Sequence, residues 1–294
     1  MKAAHEDRPV QLTPASCGVV GGGRMGAGIA HALLLAGAQV VLVELDEDTA
    51  ATARQRVARA VHGSVTRGQL VGAAVVLARL TTATDVAALA DAALVIEAVP
   101  EDPELKIETF RRVAGVVAAD TVIASNTSSI SLDLLAGAVP RPDRVIGLHF
   151  FNPVPPSKLV EVVLGSRTSG ELRLRAEGWV REWGKTPVTV KNTPGFASSR
   201  LGVALGLEAI RMLEEGVASA EDIDAAMTLG YGFPVGPLRL TDLVGVDVRL
   251  SVARYLANEL GPRFTPPQLM IDMVQRGDLG RKTGRGFYDW PDQA

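Results

Sequence analysis

Two ionisable residues sit in apolar runs on either side of a proline-rich bend. In residues 145–163, V-I-G-L-H-F-F-N-P-V-P-P-S-K-L-V-E-V-V, His149 belongs to the first run and Glu161 to the second. Val154, Pro155 and Pro156 cannot continue a ladder, because proline has no N–H and fixes φ. A chain folding back about Pro155 pairs the runs antiparallel. His149 and Glu161 are equidistant from that point, so they face each other, with Cβ atoms about 4.5–5.5 Å apart. An imidazole and a carboxylate at that separation can hydrogen-bond. Two readings are open here: a catalytic base with its orienting carboxylate, or a structural His–Glu pair.

The second chemical signal is glycine-rich. Residues 17–21, C-G-V-V-G, read as a short buried strand, and Gly21-Gly22-Gly23-Arg24-Met25-Gly26 satisfies G-x-G-x-x-G. An alanine-rich helical stretch follows and stops at Gly37; residues 39–44, Q-V-V-L-V-E, read as a second strand. That strand–turn–helix–strand context is what a dinucleotide fingerprint needs. Gly21 allows the tight turn, Gly23 lets backbone approach a pyrophosphate, and Gly26 allows close helix–strand packing. Arg24 and Met25 open the helix, whose N-terminal N–H groups favour phosphate. An acidic residue about 20 positions on accepts the ribose hydroxyls. Glu44 falls there, with Asp46 as its rival. A carboxylate at that place repels a 2′-phosphate, so NAD is expected rather than NADP.

These groups need a scaffold. Residues 94–99 and 121–125 read as further buried strands, with a helix from near Pro103 to about Val117 between them. Ligands of open parallel sheets bind at the carboxyl ends of the strands. Glu101, Asn126, Ser128 and His149 all fall at such ends, although Asn, Thr and Ser there also serve as loop and cap residues. Residues 48–68 read as a long helix bearing Arg54, Arg56, Arg59 and Arg67, either a solvated face or a place for an anionic substrate tail. After a last strand at 187–191 the pattern becomes helical. Thr193 as N-cap and Pro194 at N1 predict a helix ending before Gly216, apolar enough to be core or a subunit interface. Further helices follow Ser219, Pro237 and Pro266, and a basic glycine-rich loop occupies 280–288. The expected fold class is α/β: a Rossmann-like, doubly wound, mostly parallel sheet followed by an all-α domain. The expected divisions are a flexible tail (1–14), a dinucleotide-binding domain (15–192) and a helical domain (193–294).

Bulk properties narrow the function classes. The 294 residues are 47% hydrophobic and 21% charged, with net charge −3. A slightly acidic chain without a basic face argues against nucleic acid. One cysteine, Cys17, excludes an intrachain disulfide framework and fits a cytoplasmic location. No run approaches the ~20 apolar residues of a membrane span. The four histidines are widely separated in sequence, so no metal is expected.

Taken together, the chain resembles the L-3-hydroxyacyl-CoA dehydrogenase family. The resemblance rests on G-G-G-R-M-G-A-G-I-A (21–30), I-E-A-V-P-E (96–101), A-S-N-T-S-S-I (124–130), G-L-H-F-F-N-P-V (147–154), K-L-V-E-V-V (158–163), D-I-D-A-A-M (222–227), G-P-L-R-L-T-D-L-V-G-V-D (236–247) and K-T-G-R-G-F-Y (282–288). It implies an NAD-binding domain, a helical dimerisation domain and oxidation of the 3-hydroxyl of an acyl-CoA. By the same resemblance His149 matches the catalytic histidine, Glu161 its carboxylate, and Ser128 a serine contacting the reacting oxygen or the histidine. Glu101, Lys106 and Asn126 match positions near the nicotinamide, and Asn152 a substrate-side position. Arg67 is the candidate for the CoA phosphates. One position departs: the family's P-G-F-x-x-N-R reads P-G-F-A-S-S-R at 194–200, so Ser199 stands where an active-site asparagine is usual. A hydroxyl on a short arm replaces an amide that both donates and accepts. Ser199 then acts through water or shifts acyl preference. Related alternatives are a dehydrogenase of 3-hydroxyadipyl-CoA or of a free hydroxy acid or sugar acid, and a non-catalytic NAD(H)-binding protein.

Overall fold

The computed structural model describes residues 13–291. The tail expected over 1–14 lies, apart from its last two residues, outside the described residues. Thr13 itself is buried, its N–H and hydroxyl both donating to Glu182. The chain divides into two compact units between Asn192 and Thr193.

The first unit runs β1 (Ser16–Val20), α1 (Arg24–Leu35), β2 (Gln39–Val43), α2 (Glu47–Thr66), α3 (Ala73–Leu77), β3 (Leu80–Ala83), β4 (Leu94–Glu97), α4 (Pro103–Ala114), β5 (Val122–Ser125), α5 (Leu132–Ala136), β6 (Val145–Phe150), β7 (Leu159–Leu164), α6 (Gly170–Glu182) and β8 (Thr186–Lys191). One sheet holds all eight strands in the order β3-β2-β1-β4-β5-β6-β7-β8. The first six are parallel, in the doubly wound order. All but the edge strand β3 are predominantly apolar because helices cover both faces; every residue of β4, β5 and β6 is buried. β7 runs antiparallel to β6, and β8 parallel to β7.

Two differences from the sequence expectation have local causes. β3 lies at the edge of the sheet, pairs only with β2, and buries only Leu80. So short and half-polar a strand carries no alternation to detect. The helix predicted from Thr193–Pro194 starts instead at Ser198. Gly195 (φ +74°) and Phe196 (φ +49°) are left-handed, a conformation that a right-handed helix cannot contain.

The second unit comprises α7 (Ser198–Glu214), α8 (Ala220–Gly230), α9 (Pro237–Val244), α10 (Val246–Leu260) and α11 (Gln268–Arg276). Val203, Leu207 and Ile210 of α7 join Leu238, Leu250, Leu256, Met270 and Met273 in its core. Leu201 faces outward, 71% exposed. Asp242 fastens the glycine-rich loop, accepting from the N–H groups of Phe287 and Tyr288 (both 3.0 Å) and from Trp290 Nε1 (2.9 Å). Asp224 accepts from the N–H groups of Leu238 and Arg239 and from the Tyr288 hydroxyl. Among the described residues no helix is long and apolar enough to cross a membrane.

Candidate active site

The β6–β7 ladder pairs His149 directly with Glu161, the register that the spacing about Pro155 predicts. His149 Nδ1 lies 2.8 Å from Glu161 Oε2, and both residues are buried. An ionised carboxylate only accepts, so in this pair Nδ1 carries the proton and Nε2 is the basic nitrogen. The hairpin is seated on α1: a Cβ on Gly28 would come within 2.7 Å of Val154 Cβ. The bend after His149 therefore packs on the helix that follows the glycine-rich turn. Asn152 is exposed on this bend.

The turn between β1 and α1 has the shape of a phosphate cradle. Gly21 has φ +93°, and a Cβ on Gly26 would lie 1.7 Å from the Gly21 carbonyl oxygen. Both places require glycine. A Cβ on Gly23 would meet nothing within 4 Å, so backbone borders open space there. No side chain caps α1, and Arg24 is exposed at its first position. The first N–H groups of a helix have no intrahelical partner. Glu44, just past β2, accepts from Gly22 N–H (2.5 Å), which puts an acidic group beside the turn. Asp46 is otherwise employed: it caps α2, accepting from Thr49 N–H at 2.8 Å. Donor turn, open approach and adjacent carboxylate fit an NAD whose pyrophosphate meets the helix and whose adenosine ribose meets Glu44. Met25 is partly buried against the sheet's core.

Beyond β4 and β5 the polar side chains form one connected cluster. Glu101 Oε1 collects the Thr127 hydroxyl (2.6 Å), the N–H groups of Ser128 (2.9 Å) and Ser129 (3.0 Å), and the hydroxyls of Ser129 (2.9 Å) and Ser128 (3.3 Å). Burial works to raise the Glu101 pKa, but the Lys106 ammonium and the Thr127, Ser129 and Ser128 donors outweigh it and hold the carboxyl below its ordinary range. Lys106 is 1% exposed. It donates to Glu97 Oε1 (2.5 Å) and the Val99 carbonyl (3.1 Å), with Glu101 Oε2 at 3.4 Å. Asn126 Oδ1 accepts from Phe150 N–H (2.9 Å), tying this loop to the strand of His149. Glu97 and Ser125 were not singled out as candidates from sequence. The available signal was a charged residue closing an otherwise apolar strand, L-V-I-E.

Arg67 is exposed at the end of α2, donating to Ser64 Oγ (3.2 Å) and Gln69 Oε1 (3.3 Å). Ser199 belongs to the second unit, in the first turn of α7. His149, Glu161, Ser128, Asn126, Glu101, Lys106 and the glycine turn belong to the first unit.

Comparisons with known proteins agree with this geometry. Residues 16–193 match the family described as 3-hydroxyacyl-CoA dehydrogenase, NAD binding domain, and residues 195–290 match 3-hydroxyacyl-CoA dehydrogenase, C-terminal domain. A 3-hydroxybutyryl-CoA dehydrogenase of Mycobacterium tuberculosis is 42% identical over 278 residues, covering 93% of this chain and 97% of that one. A 3-hydroxyadipyl-CoA dehydrogenase of Escherichia coli is 43% identical over 276 residues, covering 92% of this chain. This chain spans only 58% of the Escherichia coli relative's length. The crystal structure of (S)-3-hydroxybutyryl-CoA dehydrogenase from Ralstonia eutropha superposes with TM-score 0.91 at 40% identity, covering 95% of this chain and all of that one (100%). The first unit is thus an NAD-binding domain, and the chain belongs to the 3-hydroxyacyl-CoA dehydrogenase family.

Proposed function

We propose that the protein oxidises (3S)-3-hydroxyacyl-CoA to 3-oxoacyl-CoA with NAD, and catalyses the reverse reduction, with the four-carbon pair 3-hydroxybutyryl-CoA and acetoacetyl-CoA as substrates. The observation that carries this is the buried His149–Glu161 pair at 2.8 Å, in the same unit as the glycine cradle. Bound NAD+ supplies the hydride acceptor for the carbinol carbon. His149 Nε2, the basic nitrogen of the neutral tautomer, takes the proton of the 3-hydroxyl. Glu161 holds Nδ1–H, fixes the tautomer and stabilises the imidazolium that forms. In the reducing direction His149 returns the proton to the carbonyl oxygen. Ser128, held by Glu101, contacts the reacting oxygen. Glu101, Lys106 and Asn126 shape the nicotinamide end of the cleft, Asn152 and Ser199 contact the substrate, and Arg67 meets the CoA phosphates.

A second reading is the dicarboxylyl substrate 3-hydroxyadipyl-CoA, favoured by the name of the Escherichia coli relative and by Ser199 in place of asparagine. Initial rates of NADH oxidation with acetoacetyl-CoA, a longer 3-oxoacyl-CoA, 3-oxoadipyl-CoA and free acetoacetate separate the readings. The proposal expects the highest kcat/KM with acetoacetyl-CoA. A higher value with 3-oxoadipyl-CoA replaces it by the second reading. NADH binding without turnover of any of them leaves only an NAD-binding protein.

The reading includes a homodimer formed through the helical unit and a cytoplasmic location. Leu201, Leu229 and Tyr231, large apolar side chains of the helical unit that are 71%, 86% and 77% exposed, support the dimer, since exposed apolar surface marks interaction sites. Light scattering during gel filtration tests it; a monomeric mass rejects it.

A further inference from the structure

Glu97 is the least accessible acid in the cluster beyond β4, at 0% exposure, and it is paired with Lys106 at 1%. Sequestering such a pair is poor economy for stability alone. Desolvation offsets the Coulomb gain, and well-packed apolar residues often do as well or better. What this pair holds is more informative than its strength. Glu97 Oε1 accepts from Lys106 Nζ (2.5 Å) and Val99 N–H (2.7 Å), and Oε2 accepts from the Ser125 hydroxyl (2.6 Å). Ser125 Oγ in turn accepts from Thr127 N–H (3.1 Å). Each contact is therefore made at the end of a strand or at the first turns of α4. None continues a strand ladder.

Lys106 stands between two carboxylates. Its ammonium is closer to Glu97 than to Glu101, 2.5 against 3.4 Å. Glu101 is the group that gathers the hydroxyls and N–H groups of residues 127–129. If Glu97 loses its charge, the carboxylate left in contact with Lys106 among the described residues is Glu101. Drawing Glu101 toward Lys106 pulls it from Ser128 and Ser129.

We propose that Glu97 is a positioning residue of the active site: through Lys106 and Ser125 it sets where Glu101 stands, and so where Ser128 presents its hydroxyl. The catalytic half of this rests on the dehydrogenase reading above; the loop-ordering half does not.

The test uses the full chain in three forms: wild type, Glu97→Gln, and Glu97→Gln with Lys106→Met. The second variant removes the buried charge together with its partner, so it folds without an orphaned ammonium. Four readouts are taken: melting temperature, kcat and KM with acetoacetyl-CoA and NADH, NADH affinity by fluorescence, and hydrogen exchange of the Ser128 and Ser129 amides. Glu97→Gln is expected to lower both melting temperature and kcat, the latter on the order of 10²-fold, the cost of displacing a positioned group by about 1 Å. The double variant recovers melting temperature but not kcat. NADH affinity stays within about threefold in Glu97→Gln, which leaves every cofactor-side residue in place, so the loss lies in turnover. Both variants exchange the Ser128 and Ser129 amides faster, on the order of tenfold, as local opening becomes easier.

Recovery of kcat together with melting temperature in the double variant shows a merely structural pair and overturns the proposal. So does a loss confined to NADH affinity, or unchanged amide exchange. A wild type that does not oxidise NADH with any acyl-CoA overturns the dehydrogenase reading instead. The exchange measurement still decides the loop-ordering claim in that case.

Discussion

His149 Nδ1 stands 2.8 Å from Glu161 Oε2, between residues paired directly across an antiparallel ladder. Backbone register, rather than a flexible loop, therefore holds the ring. Replacing the carboxylate by an amide keeps size and removes charge. It also permits a donor to face Nδ1, so the tautomer is no longer fixed. Glu161→Gln is expected to lower kcat by about 10²-fold with little change in the KM for NADH, at the lower end of general acid–base contributions. Steady-state kinetics check this, and a kcat within twofold of wild type rejects the orienting role.

Glu44 stands beside the glycine turn, accepting from Gly22 N–H, and is proposed to set cofactor choice. Bringing a 2′-phosphate against a carboxylate costs several kcal/mol. The kcat/KM for NADH should therefore exceed that for NADPH by on the order of 10²-fold or more, at ~1.4 kcal/mol per tenfold. Glu44→Ser should narrow the gap from the NADPH side. Equal efficiency with both cofactors in the wild type contradicts the assignment.

Gly26 and Gly23 of the turn should fail in different ways. Gly26→Ala places a methyl 1.7 Å from the Gly21 carbonyl oxygen. The turn must shift, at about 1–3 kcal/mol or more. Gly23→Ala adds a methyl that meets no protein atom within 4 Å, so melting temperature should hold. That methyl nevertheless occupies the open approach proposed for the pyrophosphate, and NADH affinity should fall by at least tenfold, ~1.4 kcal/mol. Thermal melts with fluorescence titration separate the two effects, and an unaltered NADH affinity in Gly23→Ala removes the pyrophosphate from this place.

His31 is buried on α1 with Nε2 3.0 Å from Ser64 Oγ. Burial, and after it the charges of Arg67 and Lys185, lower its pKa from 6.5 to about 4. The unfolded chain binds a proton near pH 6.5 where the folded one refuses it until about pH 4. Its contribution to stability is full above about pH 6.5 and is lost as pH falls toward 4. Between pH 7.5 and pH 5 this amounts to roughly 2 kcal/mol. Urea unfolding at the two values should show that His31→Gln loses about that much less than wild type; parallel losses refute the attribution.

Where the chemistry was legible in the sequence, local spacing encoded it. The equal arms about Pro155 set the His149–Glu161 register, and G-x-G-x-x-G between two strands and a helix announced the cradle. The doubly wound order followed from apolar runs alternating with helices. What was not legible depends on contacts between distant segments or on backbone sign. Glu97 and Ser125 come from β4 and β5 and meet Lys106 of α4, and no periodicity links them. The delayed start of α7 turns on the left-handed Phe196, a conformation rare for a bulky residue.

A proton passing through His149 is checked by following NADH absorbance with acetoacetyl-CoA for wild type and His149→Gln side by side. The wild type should oxidise NADH steadily. Turnover of the variant should be lower by about 10²–10⁴-fold, with NADH affinity retained. Near-wild-type turnover in His149→Gln would contradict that proton path.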